Sequence, residues 1–206
     1  MLASAATNVA VIVNVLPLPI EISNFSENVV LYFPYDMDGN GTTDFTFTTT
    51  YSDVGLRTEL VNRLVIRLDP PPNIGGPVAS LGVGYPIGIN LSGTNVAWSS
   101  SDFIDGFVSP GKIVATGIIQ VSFSGHNTQF SERSAIGVEF HAEDGVHYGY
   151  FDVSPFSRVA PRITLHGWAW ETVPGKAIVA AQVPEASTSI LVAITLCTLL
   201  AKRTRW

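Results

Sequence analysis

Between residues 9 and 181, short runs of aliphatic, aromatic and β-branched residues recur, each closed by Gly, Pro, Asn or Asp. Runs of this kind read as strands bounded by turns. Residues 9–15 are almost wholly aliphatic, which suits a strand covered on both faces. Residues 29–33 and 45–51 flank an Asp- and Gly-rich segment. Over residues 62–68, Leu64, Ile66 and Leu68 share one face while Arg63 and Arg67 point the other way. That alternation predicts a half-buried strand. Residues 113–123, 135–142, 146–153, 162–171 and 177–181 continue the pattern, whereas the Pro run in residues 69–73 cannot join a ladder. No part of this body keeps a 3.6-residue period, and a short helix over residues 52–60 is its best helical candidate. About ten strands at this spacing predict an all-β fold: a single antiparallel β-sandwich, jelly-roll-like, over residues 9–181.

The pattern changes abruptly at residues 182–206. A linker over residues 182–189 gives way to an apolar run from Ile190 to Ala201, followed by Lys202, Arg203, Arg205 and Trp206. Residues 187–201 carry no charge and no polar face. As a helix they span ~22 Å at about 1.5 Å per residue, short of a ~30 Å hydrocarbon core. The stems of Lys202 and Arg203 recover part of the difference by snorkelling. The expectation is one short C-terminal transmembrane helix with its basic end in the cytoplasm and the body on the far side. At the other end, Ala3-Ser4-Ala5 reads as a small-residue cleavage site, so residues 1–8 are expected to be the remnant of a signal-peptide cleavage region.

Composition narrows the function. The chain has 11 basic and 17 acidic residues among 206, a net charge of −6. Residues 184–206 hold three of the basic groups and one acidic group, so the body carries 8 against 16, or −8. A body this acidic does not suit nucleic acid, whose phosphates call for Lys and Arg patches. Cys197 is the sole cysteine and lies in the apolar tail, so the body has no disulfide. There is no G-x-S-x-G elbow, and no predicted helix follows the Gly-rich residues 82–88 to cradle a phosphate. Acid pairs such as Asp102 with Asp105 read as solvated surface. A non-catalytic protein is expected.

The chemically sharp motif is the segment from Asp36 to Asp44. Asp36, Asp38, Asn40 and Asp44 take positions 1, 3, 5 and 9 of a calcium loop, Gly41 takes position 6, and Thr42 supplies a carbonyl at position 7. Alternate side chains of a curled loop point inward, which is why the spacing suits a cation. Position 12 is Phe47 rather than the bidentate Glu of an EF-hand, and a strand follows instead of a helix. The segment resembles the strand-loop-strand calcium sites of propeller and adhesin repeats, with an expected affinity of ~10⁻⁴ M. An Asp/Asn/Gly hairpin turn without metal is the plain alternative.

Two weaker signals remain. Residues 139–150 read as a hairpin with a three-residue Glu143-Asp144-Gly145 loop, placing His141 opposite His147 and pairing Phe140 with Tyr148. Trp98, Trp168 and Trp170 offer a sugar-stacking platform, although core packing is the commoner fate of sandwich aromatics.

The ending Pro184-Glu185-Ala186, apolar run and basic cluster resembles the PEP-CTERM sorting signal of bacterial exosortase substrates, with Ala186 where the triplet usually has Pro. Three body segments are also similar to proteins of that family: residues 36–47, the Ile136 to Tyr150 hairpin with Tyr150 at a usual Trp position, and residues 167–178 with Trp170 at a usual Tyr position. The resemblance implies export, processing by an exosortase-type membrane protease, and association with the cell surface or an exopolysaccharide matrix. It implies no catalysis. The alternatives are a calcium-dependent carbohydrate-binding module and, behind it, a secreted hydrolase.

Overall fold

The computed structural model describes residues 11–26, 29–49, 54–58, 61–67, 78–93, 95–99, 116–119, 132–155 and 162–181. The expectations for residues 1–8, for Asp102 and Asp105, and for Pro184, Glu185, Lys202, Arg203 and Arg205 with the apolar helix between them lie outside the described residues. Within these, every element is a strand: β1 (Val11–Ser23), β2 (Leu31–Tyr35), β3 (Phe45–Thr49), β4 (Val54–Thr58), β5 (Arg63–Arg67) and β6 (Pro86–Ile87). β7 (Val96–Trp98), β8 (Thr116–Ile119), β9 (Ser134–Ala142), β10 (Gly145–Pro155), β11 (Arg162–Glu171) and β12 (Ile178–Val179) complete the set. Among the described residues no helix is long and apolar enough to cross a membrane.

The strands form a six-stranded sheet in the order β1-β11-β10-β9-β5-β7, a four-stranded sheet in the order β2-β3-β4-β8, and a two-stranded β12-β6 pair. All their pairings are antiparallel. The two larger sheets pack as a sandwich, because alternate residues of each supply one apolar face. Phe45, Phe47, Val54 and Leu56 of the smaller sheet meet Ile136, Val138, Phe140, Phe151 and Leu165 of the larger, all fully buried. Phe151 is the hub, with its ring 5.2 Å from Phe47 and 5.6 Å from Phe45, edge to face. Such pairs add ~0.5–1.5 kcal/mol each beyond their area.

The other face of the six-stranded sheet is covered as well. Leu81, Ile87, Ile178 and Ala180, from β6, β12 and their flanks, pack with Val65, Ala135, Tyr148, Tyr150 and Ala169. This third layer corrects the half-buried reading of residues 62–68: Leu64 faces the sandwich core and Val65 the second cluster, both buried. Charged groups trapped by this layer are paired. Arg63 clamps the buried Glu139 with two bonds, Nε to Oε1 at 2.6 Å and Nη2 to Oε2 at 2.5 Å. Arg133 does the same to the buried Asp152, with Nη2 at 2.7 Å from Oδ2. The helix expected over residues 52–60 is instead β4. Val54, Leu56 and Thr58 are buried at a period of two while Arg57 is half-buried, and pairing with β3 and β8 overrides the helix-forming local sequence.

Candidate cation site

The Asp36–Asp44 loop joins β2 to β3, whose register closes with Tyr35 opposite Phe45. The Asp44 N–H donates to the Tyr35 carbonyl at 2.9 Å, completing the neck of the loop. Gly39 and Gly41 stand at φ 80° and 87°, the left-handed region that lets the chain curl without a Cβ penalty. Met37, the lone large apolar residue of the loop, points inward and is 2% exposed within the sandwich core. With Met37 turned in, the carboxylates on either side gather against Asp44. Oxygens of Asp36, Asp38 and Asp44 all lie within 4.8 Å of one another.

Backbone donors hold each acid in place. Asp36 accepts from the N–H groups of Gly39 at 2.7 Å, Asn40 at 3.2 Å and Gly41 at 2.6 Å. Asp38 accepts from the Asn40 N–H at 3.1 Å and its amide Nδ2 at 3.0 Å. Asp44 is buried; its Oδ2 accepts from the Met37 N–H at 2.9 Å. Burial opposes charge on Asp36, but the N–H groups of Gly41 and Gly39, with Asp38 and Asn40, outweigh it and hold its carboxyl below the usual range. Burial pushes Asp38 up despite the Asn40 N–H, and the adjacent Asp36 adds to the rise. Asp44 is raised by burial and by the charges of Asp38 and Asp36, against the pull of the Met37 N–H. Three acids this close repel one another, and a cation among them would relieve that strain.

Of the five residues expected to ligate, the three acids converge. The Asn40 Oδ1 accepts the Thr42 N–H at 2.7 Å, which braces the turn, and both residues are exposed. Sequence reasoning missed Asn62, which clasps the loop to the larger sheet. Its Nδ2 donates to the Asp44 carbonyl at 3.1 Å, and its Oδ1 accepts the His141 N–H at 3.1 Å. Nothing local to residue 62 announces this role, because its partners are set by tertiary pairing. Asn40, Thr42, Thr43, Asp44, Asn62, His141 and Glu143 line a cleft of about 370 Å³ beside the loop, with Val61 and Ala142.

The expected His pair does not form. β9 and β10 turn through Glu143 and Asp144 alone, with Gly145 opposite Ala142, so His147 faces Phe140 and His141 faces Val146. One residue fewer in the turn moves every pairing by one and puts the two imidazoles on opposite faces. Phe140 and Tyr148 are separated likewise, since Tyr148 pairs with Glu139. His141 is exposed, whereas His147 is fully buried between Phe140 and Trp170, with ring centroids at 5.6 and 5.1 Å. Its Nδ1 lies 2.8 Å from the Glu171 carbonyl and its Nε2 2.8 Å from Asp144 Oδ1.

The three tryptophans are not gathered on one surface. Trp168 and Trp170 face the sandwich core, Trp170 against Phe140 and Trp168 against Tyr35 at 5.6 Å. Trp98 belongs to the opposite face, tilted over Tyr148 at 5.8 Å, with its Nε1 donating to the Gly88 carbonyl. Comparison with known proteins adds no relative: no family model matches the chain, and neither curated proteins nor solved structures give a match.

Proposed function

We propose that the chain is an exported, non-catalytic β-sandwich, sorted to the bacterial surface and binding calcium at the loop between β2 and β3. The observation that carries the cation reading is the convergence of Asp36, Asp38 and Asp44 within 4.8 Å. Hard carboxylate oxygens favour calcium over softer transition metals. With no bidentate Glu to close the shell, affinity belongs at the weak extracellular end, ~10⁻⁴ M. The sorting half of the proposal rests on the ending: Pro184-Glu185, a short apolar run from Ile190 to Ala201, then Lys202, Arg203 and Arg205. An exosortase-type membrane protease would hold this segment in the inner membrane and release the sandwich to the surface or an exopolysaccharide matrix.

Isothermal titration of the full chain with calcium tests the first half. Saturable heat that Asp38→Ala abolishes is expected, and equal heats in parent and variant would reject the site. Intact mass of the protein recovered from its native envelope tests the second: a product ending near Glu185 is expected, and an unprocessed chain in the cytosol refutes sorting.

A further inference from the structure

We infer that the cleft between the β2–β3 loop and the β9–β10 hairpin binds a neutral, hydroxyl-rich ligand of the sugar or polyol class. Its volume of about 370 Å³ falls at the lower end of small-molecule sites. The β2–β3 loop contributes Asn40, Thr42, Thr43 and the buried Asp44, and the β9–β10 hairpin contributes His141 and Glu143. Amide, hydroxyl, carboxylate and imidazole together donate and accept, as a sugar hydroxyl also does. Among the described residues no Lys or Arg lines the cleft, while Asp44 and Glu143 do. Phosphate, sulfate or carboxylate ligands would therefore meet these carboxylates with no Lys or Arg side chain to offset them.

An apolar contact accompanies the polar set. Val61 is 50% exposed and lines the cleft together with Ala142, giving the C–H face of a ring something to cover. The walls are also fixed in advance. Asn62 is 5% exposed and spans them through Asp44 and the His141 backbone, so little ordering is left for binding to impose. Asn40, Thr42 and Asp44 belong to both the cleft and the cation loop, whereas His141 and Glu143 belong to the cleft alone, so changes at those two residues separate sugar binding from calcium binding.

The test is saturation-transfer NMR on the full chain, held in a detergent without a sugar headgroup, with and without EDTA. The probes are the methyl glycosides of glucose, galactose and mannose, with glucuronate and glucose 6-phosphate as anionic counterparts. At least one neutral glycoside is expected to saturate in one of the two conditions. His141→Ala and Glu143→Gln should each weaken it about tenfold, some 1.4 kcal/mol, and the anionic sugars should bind more weakly. Both side chains are exposed, and unchanged urea midpoints would certify the variants as folded. No saturable neutral sugar in either condition, binding untouched by both changes, or a preference for the anionic probes would each overturn the inference. Calcium heat measured on the same samples reports separately on the cation loop.

Discussion

Gly149→Ala is the perturbation that best interrogates how the cation loop is held. Gly149 lies on β10 opposite Trp170 on one side and Val138 on the other. A Cβ added there would stand 2.7 Å from the Ala169 carbonyl oxygen, 3.0 Å from Trp170 Cβ and 3.0 Å from Met37 Cε. The methionine methyl can swing aside, but the Ala169 oxygen belongs to a paired strand and cannot retreat without bending β11. Overpacking of this kind costs about 1–3 kcal/mol, and about 2–4 °C of melting temperature follows each kcal/mol in a domain of this size. A second effect should accompany the first. As its methyl swings aside Met37 gives up its seat in the core, which loosens the anchor between Asp36 and Asp38, so calcium affinity should fall along with stability. Urea unfolding followed by Trp fluorescence, paired with calcium titration, measures both. Gly82→Ala is the control, because its added Cβ meets nothing within 4 Å. A Gly149→Ala variant within 0.5 kcal/mol of the parent, or one as perturbed as Gly82→Ala, would refute the packing argument.

Other consequences are as direct. The raised carboxyls of Asp38 and Asp44 contribute stability below the unfolded carboxylate range and lose it as pH climbs through their folded values. Calcium should therefore raise the melting temperature more at pH 7 than at pH 4, and Asp44→Asn should abolish that increment; a pH-independent increment would contradict the repulsion. Asp144 has the opposite sign: the bond from His147 holds its carboxyl low, so its contribution is present at neutral pH and fades as acid protonates it, which Asp144→Asn should flatten in an acid-unfolding curve. His147→Ala removes a fully buried ring with two polar contacts and should cost about 2–4 kcal/mol in urea unfolding; less than 1 kcal/mol would mean the ring is not packed as described. Burial pushes the Tyr35 phenol up to about 12, so the absorbance titration of Tyr35→Phe should lack one late-titrating phenolate relative to the parent.

Strands were legible where the alternation was clean. Residues 162–171 matched β11 at both ends, because Ile163, Leu165 and the two tryptophans recur strictly at every second or third position around Gly167. β4 was hidden by Arg57 and Glu59, whose charges mask the buried Val54, Leu56 and Thr58. β6 and β7, of two and three residues, are too short to show a period and exist through their partners. The acid spacing of the loop announced which side chains would converge, since loop curvature is local. The cleft beside it was invisible, because residues 40–44, 61–62 and 141–143 meet only after both sheets have formed. Hairpin register was missed by one residue, as nothing in Glu143-Asp144-Gly145 states how many of the three belong to the turn.

The two arginine clamps on buried acids have a role that outlasts their modest energies. Arg63 sits directly across from Glu139 in the ladder joining β5 to β9. Slide one strand by a single step and the guanidinium comes to rest beside Val138 or Phe140, leaving a buried acid stranded at a cost of about 3–5 kcal/mol. A wrongly threaded sheet is therefore penalised by charge even where grease would tolerate it, and the ion pairs behave as dowels that let the halves assemble in only one alignment.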